Sequence, residues 1–407
     1  MTNPIQDKLI LLGVTGSIAA YKAAELASRL TQAGSKVDVI LTEGAQHFVS
    51  PLTFQSVTGR KVYTDTDLWG GEAHIVHVGL GHNTNLLVVA PATANTIAKM
   101  AHGIGDNLLT VAALAARCPI IIAPAMDAGM YSHPATQVNI QILRERGVVF
   151  IGPAAGHLAS GLAGLGRLVE PVEILGEIRY LLAQNGPLRG KKVVVTAGGT
   201  QEPIDPVRYI TNRSSGKQGY AIAQAALDAG ANVVLISAPS NLQPPSGCQL
   251  VSVRSAAEML GAVLAETTEA DILVMAAAVA DFRPVKMEIN KIKKSSRSRL
   301  LNLQLEYTAD ILNAVSERKT QTNFPHKVIG FAAETGDLIH HAQAKLAAKR
   351  LDLIVANDVS ASDAGFEVDT NRVAFLYNDG RIETLPLMQK SEVAEAIVQK
   401  IIEWTCG

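Results

Sequence analysis

Twice along this chain a short apolar run ends in a glycine-rich polar turn and gives way to an alanine-rich helical stretch. The first run is Lys8-Leu9-Ile10-Leu11-Leu12-Gly13, followed by a helical segment over Ile18 to Ala33, a stop at Gly34 and a strand over Val37 to Leu41. The second is Lys192-Val193-Val194-Val195-Thr196-Ala197-Gly198-Gly199, followed by a helix near Tyr220 to Ala229, a stop at Gly230 and a strand over Asn232 to Ser237. Strands this short and this continuously apolar are buried on both faces, which calls for a parallel sheet covered by helices. The predicted fold class is therefore α/β: two doubly wound domains with mainly parallel sheets. Gln184-Asn185-Gly186-Pro187-Leu188-Arg189-Gly190 is a breaker cluster between the two repeats and sets the predicted domains at 1–185 and 186–407. A chain of 407 residues has ample length for two full cores.

Composition narrows the function classes. Lys plus Arg is 36 and Asp plus Glu is 37, so no basic excess exists to hold a nucleic-acid backbone or an anionic membrane. The longest apolar stretches, such as Ile272 to Ala280, fall far short of the roughly 20 residues of a membrane span. No export signal stands at Met1 to Lys8, and Cys118, Cys248 and Cys406 form neither a pair nor a metal spacing, so a reduced cytoplasm is the expected location. Charged residues are only 18% of the chain, which is consistent with surface hidden in a homo-oligomer.

In doubly wound sheets, ligands bind outside the carboxyl ends of the strands. In the first half those ends carry Thr15-Gly16-Ser17, Thr42-Glu43, Ala90-Pro91-Ala92-Thr93-Ala94-Asn95 and Ala123-Pro124-Ala125-Met126-Asp127. Gly16 and Ser17 open a helix, where backbone N–H groups suit a phosphate. The two Pro-Ala turns are too apolar for phosphate and suit a flat ring. In the second half the ends are Gly198-Gly199-Thr200, Ala278-Val279-Ala280-Asp281, Phe331-Ala332-Ala333-Glu334 and Ala356-Asn357-Asp358. The connection from Thr200 to the next helix is about twenty residues where two to six are usual, and long connections of this kind are functional. It carries Asp205, Arg208, Asn212, Arg213 and Lys217. A second polar segment, Lys291 to Arg299, is strongly basic; such a run is ordinarily a solvated loop, and its closeness to Asp281 in a nucleotide-like domain favours a phosphate role.

Each sharp reading has a bland counterpart. Gly13-Val14-Thr15-Gly16-Ser17-Ile18-Ala19 departs from G-x-G-x-x-G and no acidic residue follows for a ribose, which argues against a nicotinamide dehydrogenase. His74, His77 and His82 have no cysteine nearby and read better as loop residues, or as one general base, than as a zinc site. Asp281 and Glu334 suit Mg²⁺ or a ribose, or are plain strand-end charges. Cys118 reads as core.

With these motifs in order, the chain resembles, over its whole length, the bifunctional coenzyme A biosynthesis enzymes that fuse phosphopantothenoylcysteine decarboxylase to phosphopantothenate–cysteine ligase. The first half is similar to flavin-dependent cysteine decarboxylases through Gly13 to Lys22 (GVTGSIAAYK), Thr42-Glu43, Ala90 to Asn95 (APATAN) and Pro124 to Met126. The second half carries TAGGT (Thr196 to Thr200), EPIDPVRY (Glu202 to Tyr209), NRSSG (Asn212 to Gly216), AAAVAD (Ala276 to Asp281), KIKK (Lys291 to Lys294), GFAAET (Gly330 to Thr335) and AND (Ala356 to Asp358).

The resemblance implies a flavodoxin-like or Rossmann-like flavin half and a Rossmann-like ligase half. It implies FMN held by Gly16, Ser17, Ile18, Thr42, Ala92, Thr93 and Met126, with His77 catalytic and His74 as the alternative. Losing CO₂ from a cysteine carboxylate leaves a carbanion without a sink. The family oxidises the thiol to a thioaldehyde, which takes the electrons, and the resulting ene-thiolate is then reduced and protonated. In the ligase half, 4′-phosphopantothenate attacks the α-phosphate of CTP, with Mg²⁺ of unassigned ligands, and the amine of L-cysteine attacks the acyl-cytidylate. Asn212 would hold that intermediate and Lys291 would neutralise phosphate charge. Gly199, Thr200, Ala277, Asp281, Lys291, Phe331, Lys345 and Lys349 would hold the nucleotide. The resemblance also implies a trimeric flavin half and a paired ligase half.

Besides a small departure at Thr308-Ala309-Asp310-Ile311, where the family often has Asn-Pro-Asp-Ile, two residues of the flavin half depart from the family pattern. Asp127 stands where Asn holds the substrate carboxylate, and an ionised Asp would repel that group unless protonated or paired. Ser160 stands where a flap cysteine donates the last proton, and a hydroxyl is far less acidic than a thiol of pKa about 8.5. Either the acid has moved from flap to turn, with Asp127 as donor, or the alternative holds: an active ligase fused to a flavin-binding half impaired in decarboxylation.

Overall fold

The computed structural model describes residues 3–69, 76–159, 161, 163–293, 301–334, 337–358 and 368–406. The chain divides after Leu182 into two compact units.

The first unit is built on six strands: β1 (Leu9–Val14), β2 (Lys36–Leu41), β3 (Val62–Thr64), β4 (Leu86–Ala92), β5 (Ile120–Pro124) and β6 (Val149–Phe150). Their order is β3-β2-β1-β4-β5-β6, all parallel, so the order reverses between β1 and β4. Residues of β1 are buried from Ile10 to Val14, and those of β4 throughout, as expected of strands covered on both faces. One face packs the helices Ala20–Gln32 and Pro171–Ala183 through Leu26, Leu30, Ile174 and Ile178. The other packs Ala94–His102 and Leu108–Ala115 through Ile97, Met100, Leu109 and Ala112. A hairpin of β7 (Ala154–His157) and β8 (Ala163–Arg167) follows. The first helix begins at Ala20 where the apolar pattern predicted Ile18, because Gly16 to Ala19 are spent on the turn that leaves β1.

The second unit opens with β9 (Lys192–Ala197), and its long connection folds into an antiparallel ribbon of β10 (Gln201–Pro203) and β11 (Tyr209–Thr211). Next come the helix Lys217–Asp228, β12 (Asn232–Ser237), β13 (Gln249–Ser252) and β14 (Ile272–Met275). A second ribbon, β15 (Phe282–Pro284) with β16 (Leu305–Tyr307), precedes β17 (Lys327–Glu334) and β18 (Leu353–Asp358). Short β19 (Thr370–Asn371) pairs with β22 (Met388–Gln389), while β20 (Val373–Tyr377) and β21 (Ile382–Thr384) finish the main sheet. That sheet runs β13-β12-β9-β14-β17-β18-β20-β21, parallel up to β18 and antiparallel beyond it. Its reversal lies between β9 and β14, where doubly wound sheets open a crevice.

Candidate functional sites at the strand ends

At the reversal of the first sheet two turns meet. Thr15, 1% exposed, donates its hydroxyl to the Pro91 carbonyl at 2.7 Å and accepts the Thr93 N–H at 3.0 Å. The turn after β1 and the turn after β4 are thus tied by one side chain. The helix Ala20–Gln32 starts without a side-chain cap and without an acidic residue in its first turn. The Ala20 and Lys22 N–H groups bond the Ser17 and Ala19 carbonyls at 2.9 and 3.0 Å, so what this start offers an anion is chiefly the positive end of its dipole. Gly16 and Ile18 are exposed beside it, while Ser17 is buried. A Cβ on Gly16 would lie 2.9 Å from the backbone carbon of Gly44, so only glycine lets these two segments approach. Thr42 is buried and hydrogen-bonds the Val14 carbonyl at 3.3 Å. Thr93 caps the helix Ala94–His102, its hydroxyl accepting the Thr96 N–H, and Ala92 is fully buried.

His77 lies in the helix Val76–Asn83, half-buried, and its Nδ1 is enclosed with no hydrogen-bond partner among the described residues. A buried polar nitrogen left open costs free energy unless a ligand or water completes it. His82 sits in the same helix; His74 lies outside the described residues, and among those described no group of His, Cys, Asp and Glu is arranged to hold a metal. Asp127 begins the helix Ala128–Ser132, its Oδ1 accepting the Gly129 N–H at 2.8 Å. The β7–β8 hairpin packs on this turn: Met126 N–H donates to the Gly166 carbonyl at 3.0 Å, and a Cβ on Gly166 would collide with the Met126 carbonyl at 2.2 Å. Ser160 lies outside the described residues. Cys118 is half-buried among apolar side chains, and burial pushes its thiol up, away from thiolate reactivity.

The second unit has a cavity of ≈ 950 Å³ at the carboxyl ends of β14, β17 and β18. Ala277, Asp281, Phe331, Lys345 and Lys349 line it, together with Asn212 and the turn Ser214 to Gly216 that starts the helix Lys217–Asp228. Lys345 donates to the Phe331 carbonyl at 2.8 Å, and Lys349 binds Asn313 at 3.1 Å and Asp310. Asn212 is exposed and donates its amide to the Val279 carbonyl at 2.9 Å, joining the NRSSG turn to the AAAVAD turn. Gly199 and Thr200 are buried behind the wall: Gly199 bridges to Ala278, and the Thr200 hydroxyl accepts the Ala280 N–H at 2.9 Å. They shape the cavity without lining it. Lys291 is exposed and is not among the lining residues.

Among the lining residues that the sequence pattern did not mark are Gln218 and Lys390, whereas Asn357 stands in the strand end that the sequence singled out. Gln218 binds the Asn371 amide at 2.9 Å and donates to the Lys390 carbonyl at 3.1 Å. Lys390 is buried beside Lys217; burial and that neighbouring cation push its ammonium down, and Asp369 opposes them. A lysine at a helix start reads as solvated in sequence, so nothing marked it. Asn357 is buried, and its Oδ1 has no partner among the described residues, an open acceptor on the cavity wall.

The two units define a class: a doubly wound unit whose glycine turn at a helix start lies beside an apolar turn, fused to a second doubly wound unit with a lysine-bearing cavity at its strand ends. The family model described as Flavoprotein matches residues 2–182, and that of the DNA/pantothenate metabolism flavoprotein C-terminal domain matches residues 188–405. The Coenzyme A biosynthesis bifunctional protein CoaBC of Bacillus subtilis (strain 168) is 48% identical over 98% of this chain and 97% of its own. That of Mycobacterium tuberculosis (strain ATCC 25618 / H37Rv) is 44% identical over 98% of this chain and 97% of its own. A solved C-terminal domain of a CoaBC protein covers 54% of this chain and 98% of its own at 40% identity, with a TM-score of 0.45. The chain belongs to the CoaBC family of bifunctional coenzyme A biosynthesis proteins.

Proposed function

We propose that this chain performs both reactions its family name joins: CTP-dependent ligation of 4′-phosphopantothenate to L-cysteine, then FMN-dependent decarboxylation of the product to 4′-phosphopantetheine. Full-length kinship supports a bifunctional ligase and decarboxylase of coenzyme A biosynthesis. The observation that carries the residue-level reading is the pair of strand-end sites, one with an uncapped helix start and an open His77 nitrogen, the other with cations around a roomy cavity.

In the first unit the residues fit a flavin mononucleotide. The turn Gly16 to Ile18 would take the phosphate, the Gly16–Gly44 approach leaves it room, and the apolar turns at Ala92-Thr93 and Met126 would flank the ring. FMN, when bound, supplies the two-electron chemistry that turns the substrate thiol into an electron sink. His77, with its enclosed nitrogen, would hold or move a proton at the substrate. The β7–β8 hairpin would exclude water from above, and Asp127 would lie at the substrate carboxylate or, protonated, serve as acid.

In the second unit Asp281 and Phe331 would border the cytidine, while Lys345 and Lys349 would meet phosphate charge. Lys291 would neutralise charge as the pantothenate carboxylate displaces pyrophosphate. The Asn212 amide would donate to the acyl phosphate while the cysteine amine attacks the acyl carbon and releases CMP. Mg²⁺ would accompany the nucleotide phosphates. The protein would assemble through trimers of the flavin unit and pairs of the ligase unit. The test is product stoichiometry with CTP and Mg²⁺: one pyrophosphate and one CMP per cysteine consumed. Amide formation without nucleotide cleavage would contradict it.

A further inference from the structure

The β10–β11 ribbon does more than carry Asn212 at its base. At its tip, Ile204 to Arg208, it grips the backbone of the basic segment. Asp205 is 2% exposed, and both of its carboxylate oxygens are in use. Oδ1 accepts the N–H groups of Val207 at 2.8 Å and Arg208 at 2.9 Å, closing the tip turn. Oδ2 accepts the N–H of Ile292, at 3.1 Å. The Arg208 guanidinium lies 3.5 Å from that same oxygen and donates to the Ile292 carbonyl at 3.0 Å. Glu288 N–H adds a bond to the Ile204 carbonyl at 3.0 Å. Both backbone groups of Ile292 are therefore captured, while Lys291 and Lys293 on either side are exposed. Burial pushes the Asp205 carboxyl up, but the hydrogen bonds from Val207, Ile292 and Arg208 outweigh it and keep the group below the usual range.

We propose that Asp205 and Arg208 are positioning residues for Lys291, a clamp on Ile292 through which one ribbon sets both Asn212 and the basic side chain. The proposal rests on the reading of Lys291 as the group that serves nucleotide cleavage. A tip-closing role alone would use only Oδ1; the bond from Oδ2 to a residue 87 positions away is what closure does not need.

Asp205→Asn separates the two. It is isosteric, so it must present an NH₂ to one of two sets of N–H donors, and the clamp is the set held by a single bond. In the full chain, Asp205→Asn is expected to speed tryptic cleavage after Lys291 and Lys293 by about tenfold, because local opening exposes the segment. It is expected to lower kcat for pyrophosphate release roughly 10- to 100-fold with little change in KM for CTP, as misplacement by about 1 Å does. In a Lys291→Ala background it is expected to cost nothing further in that step. Unchanged tryptic protection, or losses that multiply in the double variant, would overturn the clamp. If Asp205→Asn does not fold, Arg208→Ala, which removes only the outer half of the grip, must show the same pattern more weakly or the proposal fails. If Lys291→Ala ligates normally, the catalytic half of the proposal falls with that reading of Lys291, while tryptic protection still decides the clamp.

Discussion

The hydroxyl of Thr15 takes the backbone N–H of Thr93 at 3.0 Å, across 78 residues of sequence. With its own proton given to the Pro91 carbonyl, this one buried side chain ties the turn after β1 to the turn after β4. Thr15→Val keeps the shape and strands both partners, at a cost of about 1–3 kcal/mol. The expected result is FMN affinity weakened roughly tenfold or more, read by flavin fluorescence titration, with Thr15→Ser close to the parent. Equal affinity for Thr15→Val would show that the latch does not set the site.

Asn212 reaches the Val279 carbonyl and so stands between two turns of the cavity wall. Asn212→Ala is expected to lower amide formation by about 10²–10³-fold, the usual scale for one lost oxyanion donor, while acyl-cytidylate accumulates. Product analysis after quenching distinguishes this from a variant that never activates the carboxylate.

Glu170 is held by Lys22, which donates to both of its oxygens at 2.9 and 3.0 Å, and by Arg167 at the end of β8. The Lys22 hydrogen bond, opposed by burial and helped by Arg167, keeps the Glu170 carboxyl below the ordinary range. A depressed folded-state value stabilises the fold above the unfolded glutamate pKa of about 4.3, and the contribution fades as pH falls through the folded-state value. The Glu170 side chain is 43% exposed, so solvent screening limits the pair to about 1 kcal/mol or less. Urea unfolding should show Glu170→Gln less stable than the parent at neutral pH, with the two converging in acid. A gap that persists in acid would assign the loss to packing instead.

Asp127 caps the helix Ala128–Ser132 through Gly129. Asn caps as well as Asp does, so Asp127→Asn leaves the turn in place and isolates the chemistry of the carboxyl group. If the acid has moved from the flap to this turn, the variant loses 4′-phosphopantetheine and accumulates the ene-thiol, at least tenfold by the general scale of acid catalysis. Normal or faster turnover would remove Asp127 as proton donor.

Much of this architecture is visible in the sequence because strand burial and turn composition are local. The runs at Lys8 and Lys192 become the central strands β1 and β9, each beside the reversal of its sheet. The ribbon pairs were not visible: Gln201–Pro203 and Tyr209–Thr211 are three residues each, too short for a period, and their pairing is set by Asp205 closing the tip. Asp281 and Phe331 line the cavity as strand-end logic suggests, and Lys345 and Lys349 as the resemblance implies, but Lys390 and Gln218 enter it through the packing of two helices distant in sequence. Lys291 is legible as a basic motif, whereas the grip on Ile292 that places it is a tertiary contact with no sequence signature.

If one chain carries the substrate through both reactions, the two products must form in step. The direct measurement is to supply the full chain, reconstituted with FMN, with 4′-phosphopantothenate, L-cysteine, CTP and Mg²⁺, and to follow pyrophosphate and CO₂ together. The expected result is one CO₂ for each pyrophosphate and 4′-phosphopantetheine as the end product. Pyrophosphate release with no CO₂, and 4′-phosphopantothenoylcysteine accumulating while FMN is bound, would contradict it.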